Sequence, residues 1–278
     1  VIVGLVDNGS LEPDAHLSLR RVAAAISNRT GCRVEAVSWR HSDRIPAAAL
    51  DGQPASTLQP WLQAALGRGE RRFVLIPYFI SPQGAIGSAL RTTLDDLQTE
   101  LGPFETAFTA GLADRDVIAP IAASLIRETI SRDRLTRPAV IVVDHGGPSP
   151  VSAALRDKLA AKIRTQLGPV VGPLAAASME GAEHAHNDPI LATLLTQDGY
   201  NRGDVVIAPL FLSPGRHAGP KGDLVQIAAL AVQAAANPGD GRPPAVLNLH
   251  FAELIGSHPL AAETLAANLR ETLAQMGT

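Results

Sequence analysis

Short apolar runs ending in polar residues alternate along this chain with longer stretches whose apolar positions fall three or four apart. Short runs at residues 1–6, 33–39, 73–77 and 105–110 read as strands, and those rich in aliphatic residues without polar alternation, 1–6 and 73–77, are predicted to be buried on both faces. The same series returns at residues 139–143, 170–176, 204–209 and 245–249. Between the runs lie helical stripes, among them Leu155, Leu159, Ile163 and Leu167, and near the end Leu265, Leu269, Leu273 and Met276. Strand and helix in alternation imply parallel pairing through helical crossovers, hence α/β architecture with two doubly wound parallel sheets in tandem. Asn187, followed by Asp188 and Pro189, reads as a helix start with a cap and a first-turn proline.

The two series are copies of one another. VIVGLVDNGS at residues 1–10 matches AVIVVDHGGP at 139–148, and VLIPYFISPQGA ending at Ala85 matches VIAPLFLSPGRH ending at His217. The final helices share the string Arg-Glu-Thr, at 127–129 and 270–272. A repeat of this length marks domains, so lobes at residues 1–135 and 136–278 are expected. Aligning Asp7 with Asp144 sets Asn8 opposite His145, and aligning the Pro-x-Phe-x-Ser-Pro segments sets Ala85 opposite His217. Only the second copy keeps its imidazoles. Loops 7–10 and 83–88 also lack the Gly-Gly turn and the Pro-x-Gly-Asp tail of the second copy. The second lobe is therefore expected to carry the chemistry, with the first as a retired partner.

The bulk numbers narrow the classes. At 278 residues with 46% hydrophobic and 18% charged residues, the chain is a globular mix with no apolar run long enough to span a bilayer. A net charge of −3 and a pI near 6.3 argue against nucleic acid as a partner, while leaving room for local basic patches toward an anionic ligand. Cys32 is the only cysteine, so no intrachain disulfide and no cysteine-based zinc or iron–sulfur site is expected. The chain begins in a strand-like run without the features of a secretory signal, which makes the cytoplasm the default expectation.

Ligands of open parallel sheets sit beyond the carboxyl ends of the strands. Three such ends in the second lobe offer His145, Glu180 and His217 to one crevice, with Gly146 and Gly147 allowing a sharp turn and close approach. Two imidazoles and a carboxylate suit Fe²⁺, Co²⁺, Ni²⁺ or Zn²⁺ and leave coordination positions open. The ordinary reading stands beside this one: a lone strand-end histidine is commonly a hydrogen-bonded structural residue, and Glu180 alone a solvated loop charge. The asymmetry of the repeat favours the functional reading. His184 and His186 are a metal-loading pair or, on the weightier reading, solvated loop residues. His16, His41, His250 and His258 have no organised partners in the sequence and are expected to be structural. No Gly-x-Gly-x-x-Gly or Walker pattern follows a strand, so nucleotide binding is not expected.

VVDHGGP, APLFLSPGRHAGPKGD and GSHPL (256–260) resemble the class II chelatases that insert iron or cobalt into sirohydrochlorin, the two-lobed forms in particular. The resemblance implies flavodoxin-like lobes facing a central cleft that holds the tetrapyrrole. It carries the role of metal ligand and proton acceptor to His145, of metal ligand to His217, and of third ligand to Glu180. It implies no permanent cofactor, Fe²⁺ or Co²⁺ being a substrate. Insertion must strip water from the ion and remove two pyrrole protons, which imidazole is suited to do because it titrates near neutral pH. Which imidazole acts as base is left open by the sequence. Sirohydrochlorin is an anionic tetrapyrrole with many carboxylates, so Arg216 and Lys221, together with Arg40 and Arg91, are expected anchors, each with ordinary surface charge as its rival reading. Asn8 and Ser10 are expected to contact the macrocycle. Iron is placed ahead of cobalt because the chain lacks a His-rich tract or cysteine cluster. A monomer with an internal pseudo-twofold is expected, a dimer being its rival. The competing functions are a non-catalytic two-lobed carrier of metal or tetrapyrrole and a hydrolase, the latter disfavoured because Ser149 and Ser213 lack a nucleophile elbow.

Overall fold

The computed structural model describes residues 1–80, 85–238 and 243–277, with the side chains of 85–88 outside the described set. Two compact units form, one from Val1–Val117, Leu212–Arg216 and Pro259–Thr278, the other from Ile118–Phe211 and His217–His258.

The first unit holds β1 (Ile2–Asp7), α1 (Pro13–Thr30), β2 (Val34–Ser38), β3 (Ser56–Thr57), α2 (Leu58–Gly67), β4 (Arg72–Pro77), α3 (Ala85–Leu101) and β5 (Glu105–Phe108). Its sheet runs β3-β2-β1-β4-β5, every pair parallel. The two-residue β3 is too short to leave a periodic signature, and the apolar pattern does not predict it. Val3, Leu5, Val6 and the whole run Phe73 to Ile76 are buried, as strands covered on both faces require. Gly4 is where Trp61 packs: a Cβ there would lie 3.0 Å from the indole. Trp61, Phe73 and Phe104 continue edge to face with centroids 5.6 and 5.7 Å apart.

The second unit holds α4 (Ile118–Asp133), β6 (Ala139–Asp144), α5 (Pro150–Leu167), β7 (Leu174–Ser178), α6 (Leu191–Leu194), β8 (Gly203–Pro209), α7 (Asp223–Ala236) and β9 (Leu247–Phe251). Its parallel sheet runs β7-β6-β8-β9. In both sheets the first strand lies between the second and third major strands, the order of a flavodoxin-type sheet. β7 begins later than the apolar run suggests, because Gly168–Val170 forms a 3₁₀ turn and Pro173 precedes the strand. β9 is likewise displaced toward Phe251.

The units do not follow the continuous division at 135 and 136. The helix after β5, α4, packs on α5 and β8 of the second unit, while α8 (Pro259–Gln275) packs on α1 of the first. Each sheet needs one more helix to cover a face, and the chain supplies it from the other copy. In the first unit Arg115 donates to the Asn268 side chain at 2.8 Å, and Asn268 Nδ2 donates to the Ala110 carbonyl at 2.8 Å.

Two local expectations are corrected. Asn187 is no helix cap: it closes a 3₁₀ turn and is buried, and α6 starts four residues later behind Ile190. On α5, Leu159, Ile163 and Leu167 are buried, but Leu155 is only half-buried while the neighbouring Arg156 is fully enclosed.

Candidate active site

The site grows from two adjacent strand ends. Ser178 at the end of β7 donates from Oγ to Asp144 Oδ1 at the end of β6, 2.7 Å away. Beyond the strands the loops stay in register, Met179 N–H donating to the Asp144 carbonyl at 2.9 Å and Glu180 N–H to the His145 carbonyl at 3.1 Å. Gly146 allows this approach. Its φ is +83°, and a Cβ would lie 2.0 Å from the Glu180 carbonyl oxygen.

His145, Glu180 and His217 are brought together. His145 Nδ1 lies 2.7 Å from the Gly146 carbonyl, and His217 Nδ1 lies 2.6 Å from Asp223 Oδ2 in the first turn of α7. A carbonyl and a carboxylate only accept, so each Nδ1 carries the proton and each neutral ring turns an Nε2 lone pair outward. Those Nε2 atoms stand 3.2 Å apart, and Glu180 Oε1 lies 3.4 Å from His145 Nε2. Three acceptors thus converge without a donor between them, an arrangement that a proton or a cation relieves. Two donors each about 2.1 Å from one ion at roughly tetrahedral angles lie about 3.2–3.4 Å apart, so both edges have the length of a coordination edge. Among the described residues no group of three or more His, Cys, Asp or Glu side chains is placed to hold a metal ion, so the acceptors form an open rim rather than a cage. The side chains of His145 and Glu180 are 47% and 55% exposed, which leaves them reachable by a ligand.

Asp223 was missed as a site residue, although it ends the Pro-x-Gly-Asp tail singled out in the sequence. Arg156 and Asn187, buried beneath the rim, were also missed; an arginine inside an apolar stripe is the one signal that pointed to them. The histidines set aside as solvated or unpartnered differ from that expectation in three places. His186 Nε2 donates to the Gly147 carbonyl at 2.8 Å, with His184 stacked on it at 5.4 Å. His16 Nδ1 lies 3.3 Å from Ser38 Oγ in the first unit. His250 bridges Asp133 at 2.9 Å and Asp204 at 3.4 Å.

In the first unit the same strand-end turn survives without its imidazole. Gly9 has φ +85°, and a Cβ on it would fall 1.7 Å from the Arg40 carbonyl oxygen, matching Gly146. The first glycine of the turn is therefore kept, while Ser10 stands where the second copy has Gly147. Asn8 is exposed. Ser10 is engaged with its own loop, its Oγ accepting from Glu12 N–H at 3.0 Å and its N–H donating to Ser42 Oγ at 3.1 Å. Ala85 lies where side chains are outside the described residues. Burial pushes the Asp7 carboxyl up to about 6, against the pull of Ser38 and the Gly9 N–H. Asp144 is also raised by burial, with Ser178 and the Arg156 guanidinium pulling it back. Of the candidate anchors, Arg216 and Lys221 are exposed, Arg40 lies over the Trp39 ring at 4.0 Å, and Arg91 over the Phe108 ring at 4.2 Å.

The second unit thus presents a doubly wound parallel sheet with an open rim of imidazole and carboxylate acceptors at its strand ends. Residues 139–272, just under half of the chain, match the family model described as CbiX, so the second copy resembles that family. No curated protein matches the chain in sequence. Solved structures share its fold over nearly the whole length. "SirB from Bacillus subtilis with Fe3+" aligns with a TM-score of 0.65 at 14% identity, covering 99% of this chain and 96% of that one. SirB from Bacillus subtilis subspecies spizizenii in complex with cobalt, titled a sirohydrochlorin chelatase, gives 0.64 at 14% identity, with 98% and 94% covered. CbiX, titled "the terminal Enzyme for Biosynthesis of Siroheme in Denitrifying Bacteria", gives 0.59 at 16% identity, with 98% and 99% covered. Among the described residues no helix is long and apolar enough to cross a membrane.

Proposed function

We propose that this protein inserts a divalent metal, Fe²⁺ ahead of Co²⁺, into sirohydrochlorin. The observation that carries the reading is the convergence of the His145 and His217 Nε2 lone pairs at 3.2 Å with the Glu180 carboxylate beside them. The match of residues 139–272 to the CbiX family model and the titles of the related structures, which name sirohydrochlorin, iron and cobalt, support the choice of substrate.

The reaction exchanges two pyrrole N–H protons for one M²⁺, so the site must hold a cation and accept protons in turn. His217 is the holding ligand: Asp223 accepts from its Nδ1 and so fixes the tautomer and orientation of the ring, with Nε2 turned to the rim. His145 has only the weaker Gly146 carbonyl behind it and takes the role of initial ligand and proton acceptor. Glu180 balances the charge of the incoming ion and passes protons toward solvent. Arg216 and Lys221 are the anchors proposed for the substrate's carboxylates, with Asn8 and Ser10 as macrocycle contacts. A monomer acting in the cytoplasm belongs to the same proposal.

The test is anaerobic incubation of the purified protein with sirohydrochlorin and each divalent ion in turn, following the absorbance of the macrocycle. Catalytic turnover with Fe²⁺ at the highest kcat/KM is expected. A higher value with Co²⁺ reassigns the metal, and stoichiometric binding without turnover makes the protein a carrier.

A further inference from the structure

A buried charge lies beneath the rim, and the insertion chemistry does not touch it. Arg156 on α5 is 2% exposed. Its Nε donates to Asp157 Oδ1 at 2.8 Å, its Nη1 to Ser178 Oγ and to the Asn187 carbonyl at 3.3 Å, and its Nη2 to the His186 carbonyl at 3.1 Å. Nη1 also lies 3.8 Å from Asp144 Oδ1. Asn187, 1% exposed, then turns its carboxamide the other way: Nδ2 donates to the Gly147 carbonyl at 3.0 Å and to the Gly181 carbonyl at 2.9 Å. Gly147 stands two residues after His145, and Gly181 one residue after Glu180. The guanidinium grips the backbone of 186–187, and the Asn187 side chain grips both ligand-bearing loops.

The fold itself does not require this charge. Taking a guanidinium out of water is costly unless every donor is matched, and an apolar residue commonly serves a buried helix position as well. The first copy makes that substitution. In the alignment that sets Asp7 opposite Asp144, Leu19 stands opposite Arg156 and is completely buried. The serine at the second strand end is kept there too, but Ser38 meets the His16 imidazole instead of a guanidinium. The buried arginine thus accompanies the histidines and is missing from the copy that lacks them.

We propose that Arg156 and Asn187 are positioning residues that set the His145–Glu180 edge for metal capture. The inference rests on reading the rim as a metal-insertion site. Two hydrogen bonds donated by Arg156 fix the 186–187 backbone, and two more from one carboxamide hold the loops at the separation that places Glu180 Oε1 3.4 Å from His145 Nε2. Loops tied this way are held before the ion arrives, so binding does not have to order them.

The test is Asn187→Asp in the full chain, with Co²⁺ titrated by its visible absorbance and insertion kinetics measured alongside. A carboxylate has the same shape but cannot donate to either carbonyl. Acting only through its charge it would draw a cation in, so the expected result runs the opposite way: a Co²⁺ dissociation constant raised about tenfold or more, the usual effect of losing support behind metal ligands. The KM for metal rises with it, while the KM for sirohydrochlorin stays unchanged. Arg156→Lys keeps the buried charge without the fork and is expected to show a smaller shift of the same sign. Co²⁺ affinity within about twofold of wild type in both folded variants overturns the proposal, as does wild-type protein that binds no Co²⁺. Failure of both variants to fold assigns the network to stability alone and equally overturns it. Wild-type protein that binds Co²⁺ but does not insert it removes the chelatase reading, and the affinity comparison still decides the positioning role.

Discussion

The Nε2 atoms of His145 and His217 stand 3.2 Å apart, each ring having committed its Nδ1 proton to an oxygen, the Gly146 carbonyl for one and the Asp223 carboxylate for the other. Two lone pairs at that separation repel in the neutral state. The pair is therefore poised for whatever positive charge enters between them, and its two halves are unequal because only one has a carboxylate behind it.

Removing His145 is expected to end metal insertion while sparing the fold. Its side chain is 47% exposed at a strand end, outside any buried stripe, so His145→Ala leaves the thermal midpoint within a few degrees, as is usual for exposed positions. Turnover falls about a hundredfold or more, the scale of losing a general base. Near-normal turnover in the folded variant would rule out its role as base and ligand.

His217→Ala weakens metal binding before it affects the proton steps, and Asp223→Asn reproduces part of that effect without removing the ring. For Asp223→Asn the metal concentration giving half-maximal rate rises about 10- to 100-fold with a smaller change in kcat. Steady-state kinetics against metal concentration measure it, and an unchanged metal dependence in both variants would leave the His217 loop with a shaping role only.

Asp7 makes stability depend on pH. Its folded-state value, raised from 3.8 to about 6 by burial, means that the folded chain binds the proton more tightly than the unfolded one. The stabilisation is fully present below the unfolded value and is lost as pH rises through about 6. Asp7→Asn keeps the acceptor for the Gly9 N–H without the charge. The variant is expected to be more stable than wild type at pH 8, on the order of 1–2 kcal/mol for a half-buried group, with the difference fading toward pH 4. Urea unfolding at both pH values reads it; an equal difference at the two would exclude Asp7 as the source.

The first lobe should prove silent even when its histidines are restored. Asn8→His with Ala85→His in the intact chain is expected to add a weak second metal equivalent and no turnover, because Gly9 supplies the turn but no counterpart of the Asp223 tail is present. Metal stoichiometry by dialysis checks the first half. His145→Ala combined with His217→Ala checks the second, since appreciable insertion by that variant would mean a working site in the first lobe.

Much was legible in the chain itself. Short Val- and Ile-rich runs without alternation read as strands buried on both faces, and their recurrence with the same strand-end residues exposed the duplication, the parallel sheets and the asymmetry of His145 and His217. Such features are local, written in spacing and side-chain type. Tertiary structure alone decided which sheet takes α4 and which takes α8, because the two helices carry equivalent apolar stripes and even the same Arg-Glu-Thr string, so nothing local distinguishes their docking faces. It also decided what stands behind the rim. Arg156 sits within an apolar stripe and Asn187 next to a proline, and their partners lie about 20–40 residues away in sequence, reached only once β6 and β7 are paired. The tautomers of the two imidazoles belong to the same category: a histidine's chemistry is set by what its other nitrogen touches, and that contact exists only in the folded chain.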